Sequence, residues 1–242
     1  MTQIALSIAV LILAAATTCA GASIAACKNP RFSNGLHNVT LKVGDLNRTL
    51  QLYVPYVLRD DRKEDFSLGP PDKPLPALIS FHGCNDHYPI LDYHEEVTNT
   101  IGAIRDRTSA LSPWYAILPL GTQEPSLLGS GWGWNSHGIP CGSFEVNDTA
   151  FAEAILDFAE NELCVDTSKV FMAGFSTGGF LALGLGCKYA GTRVAGVAAD
   201  AGSLGLLYLE ECRKGRPLPI VNFHSKADPT IPYNVGLAES QP

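Results

Sequence analysis

The sequence is short of basic residues, with 17 lysines and arginines against 24 acidic side chains and a net charge of -7 at pH 7. A surface of this sign repels phosphate backbones and anionic headgroups, so neither nucleic acid nor a membrane is an expected partner. Metal-binding spacings are also lacking, because no two cysteines have a C-x2-4-C spacing and no two histidines have the spacing of ligands on one face of a helix. We therefore expect no metal and no other cofactor.

No apolar run is long enough to span a bilayer, and the longest, residues 4–16, is followed by small residues. This pattern is typical of an export signal, with cleavage after Ala22 or Ala26. Residues 24–27 also resemble a lipobox, although they lie well beyond the apolar run. We expect a signal peptide over residues 1–26, a single domain over residues 27–242, and a secreted, extracellular monomer.

Removal of Cys19 with the signal leaves an even number of cysteines in an exported chain. This predicts disulfides, whose pairing the spacing leaves open. Three Asn-x-Thr sequons are candidate glycan acceptors, at Asn38, Asn47 and Asn147. The six remaining cysteines are Cys27, Cys84, Cys141, Cys164, Cys187 and Cys212.

The chain begins with two β-rich runs, residues 39–43 and 48–57, which predict an antiparallel hairpin. A charged, Pro-rich surface loop is expected over residues 59–76. Short continuous apolar runs then alternate with helical patterns over residues 149–163 and 177–189. The alternation predicts an α/β fold with a doubly wound, mostly parallel sheet. The expected strands are residues 77–81, 115–120, 170–175, 194–199 and 218–223.

The strongest motif is G-x-S-x-G at residues 174–178, between a predicted strand and a predicted helix. A serine on such a turn is exposed at a helix N-terminus, and the glycines leave room for the bend. Ser176 is therefore the candidate nucleophile. Acyl transfer also needs two N–H donors for the oxyanion, and we assign these to Thr177 and Cys84. His82, beside Cys84, is expected to orient the loop.

An acid follows the last predicted strand by a few residues, as in the nucleophile, acid, histidine order of this fold. Asp228 is the candidate, the alternative being a turn cap before Pro229. The loop over residues 121–142 contains Trp132 and Trp134, which are candidates to stack on a substrate ring. The alternative is that one of them packs beneath the loop.

Several segments together resemble the extracellular polyhydroxybutyrate depolymerase and feruloyl esterase group of α/β-hydrolases, from about residue 39 onward. They are His82-Gly83-Cys84, Trp134-Asn135, Cys164-Val165-Asp166, the serine turn with Gly179, and residues 224–233. The resemblance implies a secreted serine esterase acting on polymer-attached esters, with Ser176 as nucleophile and Asp228 as acid. A feruloyl esterase acting on plant xylan is the expected function. A polyhydroxybutyrate depolymerase, an acetylxylan esterase and a non-catalytic polymer-binding protein are alternatives.

Two features depart from the group. The paired cysteines that usually follow the Trp-Asn segment are replaced by residues 138–142, which contain Cys141 alone. The group's catalytic histidine lies tens of residues beyond the acid, whereas 14 residues follow Asp228 here and none is a histidine. We therefore expect a chain that is incomplete at its C-terminus, lacks the last helix and strand, and has impaired activity. The histidines present are His37, His82, His87, His94, His137 and His224.

Overall fold

The computed structural model describes residues 24–59, 67–85, 113–126, 129–136, 141, 143–205 and 208–234. Most of the expected export signal lies outside these residues, as do His87, His94 and His137. The described strands are β1 Gly35–Val43, β2 Leu46–Val54, β3 Val57–Arg59, β4 Ser67–Gly69, β5 Leu75–Phe81, β6 Tyr115–Pro119, β7 Thr122–Ser126, β8 Gly129–Gly133, β9 Val165–Phe175, β10 Gly196–Asp200 and β11 Ile220–Phe223. The described helices are α1 Ile24–Lys28, α2 Asp148–Glu162, α3 Thr177–Tyr189 and α4 Leu209–Lys214.

Seven strands form one sheet in the order β1-β2-β6-β5-β9-β10-β11. β1 and β2 are an antiparallel hairpin, and β2 runs antiparallel to β6. From β6 onward every pair of neighbours is parallel. The prediction of a mostly parallel sheet that opens with an antiparallel hairpin is confirmed.

The order in which the chain adds parallel strands reverses at β5. The next strand, β6, lies on one side of β5, and β9 lies on the other side. The connections that leave β5 and β9 therefore diverge and open a crevice at the carboxyl ends of these two strands. Ligands of open α/β sheets bind at such a crevice. The G-x-S-x-G turn follows β9 and the His82-Gly83-Cys84 segment follows β5, so both motifs lie at this point.

Apolar side chains on both faces of the sheet form two clusters. The larger contains Ile79 and Met172, together with Ile155 of α2 and Leu181 of α3. The smaller contains the strand residues that alternate with these, including Leu78 and Phe171. Burial on both faces explains why the parallel strands read as continuous apolar runs.

Asn147 caps the start of helix α2. The Asn147 side-chain oxygen accepts the Ala150 N–H at 2.9 Å, which satisfies one of the first N–H groups of the helix. Asp148 is the first helical residue, and its carboxylate lies where the helix dipole favours negative charge.

Two hairpins lie in segments that were expected to be loops. β4 lies inside the charged stretch and pairs with β3 at its start, and β7 pairs with β8 inside the tryptophan-containing segment. Both are two-stranded and outside the main sheet. Their sequences lack the alternation of apolar and polar residues that marks a half-buried strand, which is why the pattern did not predict them.

All six expected cysteines are paired, as Cys27–Cys164, Cys84–Cys141 and Cys187–Cys212. The first bond joins α1 to the residue before β9 and closes 137 residues of sequence. The expectation of disulfides is confirmed.

The described part of the sheet ends at β11, which pairs there with β10. Ile220 at its start is 47% exposed. Among the described residues, no helix is both long and apolar enough to cross a membrane.

Candidate active site

Ser176 lies on a sharp turn between β9 and α3. Its backbone has φ 53° and ψ -121°, a conformation that costs a residue with a side chain about 1–3 kcal/mol. The Ser176 N–H donates to the Asp200 carbonyl at 2.8 Å, and its own carbonyl accepts the Phe180 N–H at 3.0 Å. These bonds hold the strained turn and leave the side chain partly exposed at the carboxyl end of the sheet.

The glycines of the motif are required by close backbone contacts. A Cβ on Gly174 would lie 2.1 Å from the Gly178 carbonyl oxygen. A Cβ on Gly178 would lie 2.3 Å from the carbonyl oxygens of Phe81 and His82. The first turn of α3 therefore rests directly on the end of β5, which brings the nucleophile turn beside the loop that starts at His82.

His82 is buried and holds this loop through both ring nitrogens. Nδ1 lies 2.7 Å from the Gly83 carbonyl oxygen, and Nε2 accepts the Gly121 N–H at 3.0 Å. Since a carbonyl oxygen only accepts and a backbone N–H only donates, the ring proton is on Nδ1. The expectation that His82 orients the loop by hydrogen bonds is confirmed.

The bond to Gly83 also orients the next N–H group. The Gly83 carbonyl and the Cys84 N–H belong to one planar trans peptide, so they point in opposite directions. A carbonyl held towards the His82 ring therefore fixes the direction of the Cys84 N–H. The Cys84 sulfur is bonded to Cys141, as the sequence allowed.

Thr177, the other assigned oxyanion donor, is the first residue of α3 and is fully buried. Its hydroxyl has no hydrogen-bond partner among the described residues. Its backbone N–H lies at the N-terminal end of the helix, where the dipole favours developing negative charge. Thr177 and Cys84 thus follow neighbouring strands, β9 and β5.

Asp228 lies in the loop after β11 and caps a turn. Its Oδ1 accepts the N–H groups of Thr230 at 2.8 Å and Ile231 at 2.9 Å. These two backbone bonds, Ile231 first, hold the pKa of the Asp228 carboxyl below its usual range. Its Oδ2 lies 3.6 Å from His224 Nε2. The carboxylate therefore has the geometry of a turn cap and also faces an imidazole.

His224 follows β11 directly, and its Nε2 lies 2.6 Å from the Ile231 carbonyl oxygen. Because that oxygen accepts, Nε2 is the donor. The Tyr233 ring packs edge-on against the imidazole at 5.8 Å. This hydrogen bond and this ring contact of His224 are both within its own loop.

Asp200 was missed from the sequence, where it reads as a residue ending an apolar run. It closes β10, between the strands that carry Ser176 and His224, and its carbonyl accepts the Ser176 N–H. Burial raises the pKa of its carboxyl, and His224 and Asp228 are both close enough to influence it. Ala201, directly after it, has a positive φ of 50°.

The two tryptophans differ in position. Trp134 is fully buried, and its indole N–H donates to the His82 carbonyl at 2.8 Å. Trp132 is partly exposed, and its carbonyl accepts the Asn85 N–H at 3.0 Å. Trp134 therefore has the position of the tryptophan that packs beneath the loop. Trp132 remains the candidate for stacking on the substrate.

The other described histidine, His37, lies in β1 and contacts the Ser33 carbonyl. Within the described ranges, no three His, Cys, Asp or Glu side chains form a group that could hold a metal ion.

Comparison with solved structures identifies the fold. The chain superposes on a thermostable esterase with a TM-score of 0.55 and 18% identity, covering 81% of this chain and 48% of that one. It superposes on a ferulic acid esterase with a TM-score of 0.50 and 20% identity, covering 70% and 59% of the two chains. At such identities the likeness concerns the fold.

Sequence comparison adds a family and named relatives. Residues 144–241 match the phospholipase/carboxylesterase family model. A probable feruloyl esterase C from Aspergillus niger is 26% identical over 94% of this chain. The chain has the α/β-hydrolase fold. Fold and relatives together support a serine carboxylic ester hydrolase by family.

The fraction of the relative's length that this chain covers differs from one relative to the next. It covers 70% of the Aspergillus niger protein. Feruloyl esterase B from Piromyces equi is 32% identical over 69% of this chain, which is 29% of that longer protein.

Proposed function

We propose that residues 27–242 form a feruloyl esterase domain, which releases hydroxycinnamic acids from plant cell-wall xylan through an acyl-serine intermediate. The observation that carries the proposal is the strained Ser176 turn held against the loop after β5. Relatives that bear the name feruloyl esterase support the choice of ester.

The proposed chemistry has two steps and uses no cofactor. Ser176 Oγ attacks the ester carbonyl while its proton passes to a base, and the N–H groups of Thr177 and Cys84 stabilise the oxyanion. Collapse expels the sugar alcohol, which takes that proton. Water then attacks the acyl-serine and frees the acid. The half-buried Trp132 is proposed to stack on the aromatic acyl group.

Asp228 is proposed to orient the catalytic imidazole, and Asp228→Asn tests this role. The asparagine oxygen can still accept the Thr230 and Ile231 N–H groups, so the turn should persist. In a chain that contains the catalytic histidine, loss of the charge is expected to lower kcat by ~10³–10⁴-fold, as in other serine triads. Measurement of kcat together with the thermal midpoint separates the roles, because unchanged turnover would leave Asp228 only a turn cap.

The base itself can be tested at His224, the described imidazole that faces Asp228. Its Nε2 is engaged by the Ile231 carbonyl, which argues against its reaching Ser176. We expect His224→Ala to leave Ser176-dependent turnover within about threefold of the parent value, since a lost base costs far more. Loss of turnover in this variant would assign His224 as the base.

The substrate is decided by assaying methyl ferulate, an acetylated xylan and a polyhydroxyalkanoate film side by side. We expect the highest kcat/KM on methyl ferulate. Preference for the acetylated xylan would make the protein an acetylxylan esterase, and preference for the film a polyhydroxybutyrate depolymerase. Xylan binding without labelling of Ser176 by a fluorophosphonate probe would instead support the non-catalytic binding protein.

The three disulfides support the proposal that the protein is exported after removal of residues 1–26 and acts outside the cell. We also propose that it is a monomer. Asn38 and Asn47 are exposed on the β1-β2 hairpin and are the proposed glycan acceptors. At Asn147 the side chain caps α2 and the sequon hydroxyl of Thr149 contacts the Tyr208 hydroxyl, which makes this site less accessible after folding.

A further inference from the structure

We propose that Trp134 is a positioning residue for the oxyanion hole, acting through the His82 carbonyl and the His82 ring on the N–H of Cys84. The inference rests on the proposed function, in which that N–H stabilises the oxyanion. It assigns to Trp134 a role away from the substrate, in contrast to the stacking role expected from the sequence.

The indole is held in one orientation. Trp134 is fully buried. Its ring packs edge-on against Phe81, with 5.4 Å between centroids and an interplanar angle of 89°. It lies 4.8 Å from the His82 ring. A side chain fixed on several sides can aim its single N–H donor without paying for reorientation.

The His82 carbonyl lies between Trp134 and helix α3. The carbonyl accepts the Trp134 indole N–H at 2.8 Å, and its oxygen is also the atom that a Cβ on Gly178 would approach to 2.3 Å. The same oxygen therefore faces the buried tryptophan on one side and the first turn of α3 on the other. Movement of this carbonyl would change the separation between the loop after β5 and the Ser176 turn.

The second contact acts on the next peptide. The His82 ring donates to the Gly83 carbonyl, and the plane of that peptide sets the direction of the Cys84 N–H. The Trp134 ring packs against the His82 ring in a tilted arrangement, with an angle of 42° between their planes. Trp134 thus touches the groups that fix two successive peptides, from His82 to Cys84.

Trp134 is in turn tied to the segment opposite. It forms a β-bridge with Cys141, whose sulfur is bonded to Cys84. The next residue, Asn135, donates its N–H to the Asp148 carboxylate at 2.7 Å. The tryptophan is therefore held by its backbone as well as by its ring. It can thus fix the position of the loop after β5.

The test removes the indole donor in two ways. Trp134→Phe keeps an aromatic ring, and β-(3-benzothienyl)alanine at position 134 keeps the ring size while replacing the N–H by sulfur. We expect kcat on methyl ferulate to fall by about 10-fold to 100-fold with KM within about twofold, because misplacement of a catalytic donor by ~1 Å costs up to about 10² in rate. We also expect faster amide hydrogen exchange at Cys84 and Asn85. The matched control is Trp114→Phe, since Trp114 is also buried but precedes β6 at the amino end of the sheet.

The outcomes separate the two proposals. Absence of Ser176-dependent turnover in a parent protein that contains the catalytic histidine would refute the esterase function, and the hydrogen exchange of Cys84 and Asn85 would still decide the positioning role. Unchanged kcat and unchanged exchange in both Trp134 variants would overturn the inference. A raised KM at constant kcat would overturn it too, because it would return Trp134 to direct substrate contact. Should Trp134→Phe fail to fold, the benzothienyl variant decides alone.

Discussion

In a chain that contains the catalytic histidine, Ser176→Ala is expected to lower kcat/KM for methyl ferulate by ~10⁴–10⁶-fold, leaving the small rate that an oxyanion hole and substrate binding supply. The hydroxyl is the proposed attacking group, and alanine fits the same turn without new contacts. The backbone bonds of Ser176 to Asp200 and Phe180 do not involve its side chain, so the fold should persist. Steady-state kinetics and covalent labelling by a fluorophosphonate probe measure the two aspects of the loss.

Ser168→Ala is the matched control, because it also removes a serine hydroxyl, from β9, the strand that leads to Ser176. Among the described residues, the Ser168 hydroxyl contacts only Asp166. This control should be labelled by the probe and turn over substrate as the parent does. Labelling that persists in Ser176→Ala would show that another residue is the nucleophile. Equal turnover in Ser176→Ala and the parent would contradict the acyl-serine mechanism.

The strands near the site could be predicted because their burial is visible in the local sequence. A parallel strand covered on both faces must be apolar throughout, so the stretch containing Val170 and Met172 reads directly as a strand. The G-x-S-x-G turn was equally predictable, because the contacts of Gly174 and Gly178 admit no side chain. Pattern and packing agree at these positions.

The segment opposite the nucleophile could not be predicted to the same depth. β8 contains glycines because Gly131 packs on Asn85 and Gly133 on Cys141, where a Cβ would lie within 2.6 Å of an atom of each. Those partners are distant in sequence, so the glycines look like loop residues. Which of Trp132 and Trp134 is buried likewise depends on which ring packs against Phe81 and His82. The neighbouring residues in the sequence, Gly133 and Asn135, do not distinguish the two.

The disulfide pairing and Asp200 were out of reach for a related reason. The spacing of cysteines in the sequence carries no information on the order of strands in the sheet. Cys84 bonds to Cys141 only because β8 folds back over the loop after β5. Asp200 gains its place beside Ser176 from the parallel pairing of β9 with β10. Long-range register, not local composition, decides both.

The largest expected effect on stability is at Asp148, which forms a buried ion pair with Arg48. Arg48 Nη2 donates to Asp148 Oδ1 at 2.7 Å, and both side chains are at most 4% exposed. The guanidinium also lies 4.2 Å from the centre of the Phe151 ring. Asp148 Oδ2 accepts the Asn135 N–H. One carboxylate thus joins β2, the start of α2 and the segment that contains Trp134.

Asp148→Ala is expected to lower the free energy of unfolding by about 3–5 kcal/mol, because it leaves the Arg48 charge buried without its partner. Urea denaturation measures the change. Asp157→Ala is the matched control on the same helix, since Asp157 pairs with Arg193 but is 64% exposed, and an exposed pair contributes about 0–1 kcal/mol. Replacing Arg48 by methionine as well should recover part of the loss, because no charge then stays buried. A loss at Asp148 no larger than at Asp157 would mean that water reaches Arg48 and that the pair does not anchor this end of the sheet.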